Sequence, residues 1–180
     1  MSEINIRLAT KADESTINNL FIQMIQFINE ENKKNGISVD ENLFKNGYDA
    51  GYLDRFFVDL NNFIIVADFN GQVIGYLSCE AYHGSGSYLY LDDFCVDSNY
   101  RSNGVGTKLI ESVDEFATIN GFKNLKLHVD INNVKAQKFY ANLGFMPVLL
   151  ENNRIEMKKE IVKKDTMNLN VSVDCPKKSC

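Results

Sequence analysis

What this chain has little of narrows its class before any motif is read. No apolar run approaches the roughly twenty residues that a membrane-spanning helix needs. The opening residues, MSEINIRLATKADE, carry no basic patch followed by an apolar stretch, so neither a secretory signal nor a membrane partner is expected. Basic residues are in deficit: 19 Lys and Arg against 24 Asp and Glu leave a net charge of -5. A nucleic-acid partner is therefore not expected, because a phosphate backbone calls for a basic face. The four cysteines form no disulfide framework. Cys79 and Cys95 sit in apolar stretches, while Cys175 and Cys180 sit in a polar tail, and a reducing cytoplasm is the simplest compartment. His83 and His128 have no Cys or His at ligand spacing, and Cys175 and Cys180 have no second pair beside them. No metal is expected.

What is present is an ordinary globular composition. Apolar residues make up 44% and charged residues 24% of 180, which suits one domain with a substantial core. Ile4 to Leu8 alternates as a half-buried strand, and Thr10-Lys11-Ala12-Asp13 reads as a capping box. The helix after it carries Ile17, Leu20, Phe21, Met24, Ile25 and Ile28 at helical spacing, and Gly36 stops it. Residues 37 to 60 are less patterned, with Leu53, Phe56, Phe57 and Leu60 suggesting a short second helix. Asn70-Gly71 between two apolar runs predicts a hairpin, since both residues tolerate positive φ.

The strand from Tyr88 leads through Arg101 to Gly104 and Gly106 and into a helix. That helix is expected to bury Val105, Leu109, Val113, Phe116 and Ala117. Gly121 ends it, Leu125, Leu127 and Val129 alternate as a strand, and Asn133 caps a helix that Gly144 ends. A closing antiparallel pair turns at Asn152-Asn153. The order is β-α-α-β-β-β-α-β-α-β-β, an α/β chain with a mixed sheet over residues 1–162. Disorder is the expectation for the tail 163–180.

The stretch from Tyr88 to Ile110 combines two adjacent carboxylates, Asp92 and Asp93, with a glycine turn at a helix start. Such a start offers unpaired N–H groups and the positive end of the helix dipole, which suits an anion. No Gly-Lys-Ser/Thr follows, and Leu109 stands where a third glycine of G-x-G-x-x-G would be, so two nucleotide motifs are set aside. Taken alone, Gly104-x-Gly106 is equally explained by close helix packing.

Two motifs together are more specific. Arg101-x-x-Gly104-x-Gly106 after an acidic strand resembles the acyl-CoA pyrophosphate loop of the GNAT superfamily of N-acetyltransferases. Asn133-x-x-Ala136-x-x-Phe139-Tyr140-x-x-x-Gly144-Phe145 is similar to that superfamily's second signature. The similarity spans roughly residues 4 to 160. More loosely, Leu89 to Val96 with its acid pair resembles the diamine (spermidine/spermine) acetyltransferases.

The resemblance implies a GNAT-like mixed sheet flanked by helices, acetyl-CoA as cosubstrate, and direct acetyl transfer to a small-molecule amine, di- and polyamines included. It implies that β-strand residues Phe94, Cys95 and Val96 face the pantetheine, with backbone contacts from Phe94 and Val96. Arg101, Ser102, Asn103, Gly104, Val105, Gly106 and Thr107 would hold the pyrophosphate. Asn133 and Ala136 would line the CoA arm, with Tyr140 near its sulfur. A homodimer is compatible with the resemblance, though no residue establishes one.

The chemistry explains these residue types. An alkyl ammonium of pKa ~10.4 is neutral in about 1 molecule in 2500 at pH 7, a penalty of roughly 4.6 kcal/mol. A carboxylate binds the cation and then takes its proton. On a regular strand Asp92 and Asp93 would face opposite sides, so either a bulge re-aims one or only one reaches the amine. The resemblance to the diamine acetyltransferases favours Asp92 as substrate and base residue, with Asp93 second. Tyr140 is assigned as acid to the departing thiolate. Cys95 is read as inert core. His128 lies near the cleft, within reach of substrate. Glu30, Glu31, Asp49 and Asp54 are candidates for a cation-attracting mouth, with exposed helix ends as the simpler account. The alternatives are a protein N-terminus, a lysine or an aminoglycoside as acceptor, or a non-catalytic acyl-CoA-binding module.

Overall fold

In the computed structural model, which describes residues 3–58 and 61–162, the elements follow the expected order. The strands are β1 (Ile4–Leu8), β2 (Asn62–Phe69), β3 (Gln72–Tyr82), β4 (Tyr88–Val96), β5 (Asn124–Asp130), β6 (Met146–Glu151) and β7 (Arg154–Glu160). The helices are α1 (Glu14–Lys34), α2 (Arg55–Val58), α3 (Val105–Ile119) and α4 (Val134–Asn142). Leu60 and the tail with Cys175 and Cys180 lie outside the described residues.

The strands form one sheet in the order β1-β2-β3-β4-β5-β7-β6, with β4–β5 parallel and every other pair antiparallel. Asn70 and Gly71 take φ of 56° and 83°, and Asn152 and Asn153 take 50° and 62°. Both hairpins therefore turn on consecutive left-handed residues, which matches strand twist.

The sheet carries a hydrophobic layer on each face. On one, Ile17, Leu20 and Phe21 of α1 pack with Leu53 and Phe56 against Ile64, Val66, Tyr76 and Cys95. On the other, Val105, Leu109, Ile110, Val113 and Ala117 of α3 pack against Ile65, Leu77, Leu89, Leu91 and Leu125, with Phe139 and Tyr140 of α4 and its C-cap Leu143 beside them. Each fully buried Leu, Ile or Val in these layers contributes about 1.5–3 kcal/mol.

The buried stripe of α3 differs at two places from the periodicity. Ile110 is buried, whereas Phe116 is 37% exposed at the rim beside Phe63 and Phe122. A ring this large covers the core edge without entering it.

The start of α1 is held by a buried acid. Asp13 accepts from Arg7 Nη1 and Nη2 at 2.8 and 2.9 Å, and from the Thr10 N–H and hydroxyl at 2.8 and 3.0 Å. The Arg7 guanidinium beside it draws the Asp13 carboxyl down to about 2. Thr10 and Asp13 complete the capping box expected from the sequence, tying β1 to the helix over the acceptor face.

Candidate active site

The site begins where the β4–β5 pairing stops. The parallel register runs from Tyr88↔Asn124 to Leu91↔Leu127 and goes no further, so the β4 edge from Asp92 to Val96 opens onto a gap. On its other edge β4 remains bonded to β3 and carries a bulge. Leu77 pairs with Phe94 and Cys79 with Leu91, leaving Asp92 and Asp93 both opposite Ser78. Ser78 is 1% exposed; its hydroxyl accepts the Asp93 N–H at 2.9 Å and donates to the Asp93 carbonyl at 3.4 Å. A strand otherwise alternating thus gains one residue. Because Leu91 and Phe94 both pack on the α3 side, the two acids between them share the α1/α2 side. Of the two geometries open to the pair, the structure has the bulge.

The acids differ in their surroundings. Asp93 is half-buried and accepts from the Tyr48 hydroxyl at 2.6 Å, while Tyr48 and Tyr76 hydroxyls lie 2.9 Å apart. Burial raises the Asp93 carboxyl above its ordinary range, and the Tyr48 hydrogen bond opposes that rise. Asp92 keeps its carboxylate exposed and, among the described residues, without a hydrogen-bond donor. Neighbouring protein atoms strip part of its hydration, and Asp93 and Glu80 add negative charge, so its carboxyl is pushed up to about 6. Such a group is ionised at neutral pH yet close enough to take and release a proton.

Several neighbours were not visible in the sequence pattern. Tyr48 is delivered by the loop after α1, where Asn18 Oδ1 accepts the Tyr48 N–H at 2.8 Å. Gly47, at φ 87°, lets that loop press on Asn18, since a Cβ there would stand 2.1 Å from the amide oxygen. Glu80 on β3 pairs with Arg55 at 2.9 Å, and Arg55 also donates to the Tyr52 hydroxyl at 2.7 Å. Tyr90 and His128 face each other across the β4–β5 junction, hydroxyl to Nδ1 at 3.0 Å, with Glu156 3.9 Å from Nε2. The only advance signal was His128 on a strand bordering the cleft. Of the acids considered for the mouth, Glu31 pairs with Lys34 at 2.7 Å and Asp54 pairs with Lys11, so these two are surface ion pairs.

On the opposite side of the gap lie the glycine turn and α4. Gly104 caps α3 at φ 78° with no side-chain cap, and nothing lies within 4 Å of where its Cβ would be. The first N–H groups of α3, from Val105, Gly106 and Thr107, therefore have no side-chain acceptor from the cap. Gly106 has a different reason: a Cβ there would meet Phe94 at 2.9 Å and Phe139 at 3.3 Å, so its small size lets those rings pack. Ser102 is left-handed at φ 64°, and Asn103 Nδ2 donates to the Arg101 carbonyl at 3.3 Å. Arg101 Nε donates to the Val96 carbonyl at 3.0 Å, so that carbonyl already has one donor.

Cys95 points away from this side. Its thiol donates to the Leu20 carbonyl at 3.1 Å, and burial pushes it up to about 12, as suits an inert core cysteine. Only its backbone belongs to the gap. Asn133 accepts the Ala136 N–H at 3.1 Å and so serves as the α4 cap, with Ala136 half-buried behind it. Tyr140 lies against Phe94, Phe139 and Phe145, and burial raises its phenol, which stays protonated at any working pH. Among the described residues no group of three or more His, Cys, Asp or Glu is arranged to hold a metal ion.

A gap in a sheet, with proton acceptors on one flank and an anion-ready helix start on the other, is the geometry of a two-substrate transferase. The family model described as Acetyltransferase (GNAT) family matches residues 26–145, and the chain belongs to that family. The chain is 33% identical over 103 residues to the probable N-acetyltransferase san of Drosophila melanogaster, covering 54% of this chain and 56% of that protein. It is 31% identical over 103 residues to N-alpha-acetyltransferase 50 of Danio rerio, covering 54% and 61%. The chain thus spans somewhat over half the length of these two curated relatives. Among solved structures, the PaiA N-acetyltransferase of Thermoplasma acidophilum in complex with coenzyme A superposes with a TM-score of 0.74 at 17% identity, covering 88% of this chain and 99% of that one. At that identity the likeness concerns the fold. These likenesses support the family and do not single out the diamine acetyltransferases.

Proposed function

We propose that the protein transfers the acetyl group of acetyl-CoA directly to a primary amine. The observation that carries this reading is the pair of unlike flanks around the β4–β5 gap. Asp92, ionised near neutrality, binds the ammonium and takes its proton, directly or through water. Asp93, held by Tyr48, keeps the flank negative. The neutral amine then attacks the thioester carbonyl, the C–S bond breaks, and the surplus proton of the nitrogen passes to the thiolate, which leaves toward Tyr140 as the CoA thiol. Because that phenol stays protonated, it serves as a hydrogen-bond donor to the sulfur. Arg101 to Thr107 hold the pyrophosphate, Asn133 and Ala136 line the CoA arm, and the Phe94, Cys95 and Val96 backbone faces the pantetheine.

Asp92 and Asp93 on one face, beside a Glu80 already paired with Arg55, favour an acceptor with more than one positive charge, such as a di- or polyamine. A second reading, acetylation of a protein N-terminus, is favoured by the relative named N-alpha-acetyltransferase 50. The experiment is an amine panel assayed by CoA thiol release with spermidine, putrescine, a free N-terminal peptide, a lysine peptide and an aminoglycoside. Turnover of spermidine or putrescine above all others supports the polyamine reading, and preference for the free N-terminus replaces it. No turnover with any amine, alongside CoA binding by calorimetry, makes the chain an acyl-CoA-binding module instead.

A further inference from the structure

Phe27, on α1, is a large apolar side chain left 37% exposed, and the Arg101 guanidinium lies over its ring, 4.7 Å from the centroid. One turn earlier on the same helix face, Gln23 Nε2 donates to Asp97 Oδ2 at 3.5 Å. The helix over the acceptor side therefore also docks the β4–α3 connection that forms the anion loop. Among the described residues Arg101 has no carboxylate partner, in contrast to Arg7 and Arg55, which are both ion-paired. Its Nε is fixed on the Val96 carbonyl. The stack fixes the plane of the group, which also lies within hydrogen-bonding reach of the Cys95 thiol, and among the described residues no oxygen accepts from its terminal nitrogens.

We propose that Phe27 is a positioning residue for acetyl-CoA: by stacking on Arg101 it holds the guanidinium ready for the pyrophosphate. The inference rests on the reading of Arg101 as a pyrophosphate ligand and adds a residue from a different element to it. The physical ground is entropic as well as electrostatic. A free arginine side chain loses considerable rotamer freedom when it clamps a phosphate, and a side chain already pinned at Nε and across its face has less to lose. A cation–π contact that is partly desolvated supports the same placement.

The test is calorimetry of CoA binding to the full chain carrying Phe27→Leu, Phe27→Tyr, Arg101→Met, and Phe27→Leu with Arg101→Met, each first shown to be folded by its melting transition. Phe27→Leu is expected to weaken CoA binding roughly five-fold, and Phe27→Tyr, which keeps a ring face, to restore most of it. With Arg101 already replaced, Phe27→Leu should cost nothing further, because the two act as one unit. In turnover the loss should appear as a raised KM for acetyl-CoA and not as a lowered kcat. Additive losses in the double variant, or a normal affinity in Phe27→Leu beside a weakened Arg101→Met, overturn the proposal. A normal affinity in Arg101→Met overturns the pyrophosphate role of Arg101 and the proposal with it.

Discussion

Replacing Asp92 by Asn separates its chemistry from its place in the fold. The Asp92 carboxyl is pushed up to about 6, first by lost hydration and then by Asp93 and Glu80. A base must be ionised, so kcat/KM should rise with pH through about 6. One unit higher, roughly nine molecules in ten are competent. The Asn variant should lose this acidic limb and run roughly 10²- to 10³-fold slower at pH 7.5, the range that a positioned base contributes. Stability should move the other way. A carboxyl whose folded pKa lies above its unfolded value favours the folded state fully below about 3.8 and loses that contribution as pH rises through about 6. Removing the charge should therefore stabilise the protein above pH 6. The side chain is solvent-exposed, so screening limits the gain to about 1 kcal/mol or less, or roughly 2–4 °C in Tm. Thiol release from pH 5 to 9 and melting at pH 4 and 7.5 measure both. An Asn variant that keeps wild-type activity, or keeps its limb near 6, refutes the role of Asp92.

Three further substitutions test other parts of the site. Tyr140→Phe should lower kcat roughly 10²-fold with CoA affinity little changed, as read by steady-state kinetics beside calorimetry, and an unchanged kcat removes its role. Ser78→Ala leaves the Asp93 N–H without its acceptor and should cost about 1–3 kcal/mol in urea unfolding while lowering kcat; full activity would mean that the bulge holds without it. Asp13→Ala should cost about 2–4 kcal/mol by leaving Arg7 and Thr10 short of a partner. The Asp13 contribution is present above about 3.8 and disappears as pH falls through about 2, so the variant and the native chain should converge in acid.

The parts of the fold that were legible in the sequence are those set by local chemistry. Asn70-Gly71 and Asn152-Asn153 turn their hairpins on left-handed backbone, and Asn133 caps α4 with an oxygen that needs only the next turn as partner. What stayed hidden depends on distant partners. The adjacent acids left a bulge as one of two options, and what decides it is Ser78, fifteen residues earlier, which binds the Asp93 backbone. Tyr48 reaches Asp93 because Asn18 and Gly47 lock its loop, and no periodicity marks such a contact. The two glycines of the turn looked alike as letters and differ in cause, Gly104 in its φ and Gly106 in the rings packed against it.

The β4 bulge also separates two things that a strand normally ties together. Leu91 and Phe94 both face α3, and across a regular ladder a single residue between them would preserve that alternation. The core thus registers only which residues face inward, and it is indifferent to whether one acid or two stands between them. Removing one acid would close the ladder and leave every buried contact of β4 on its proper side. The second carboxylate is in effect a one-residue insertion that the hydrophobic layers do not feel. Charge on the acceptor face can therefore be added or deleted in single-residue steps while the scaffold beneath stays the same.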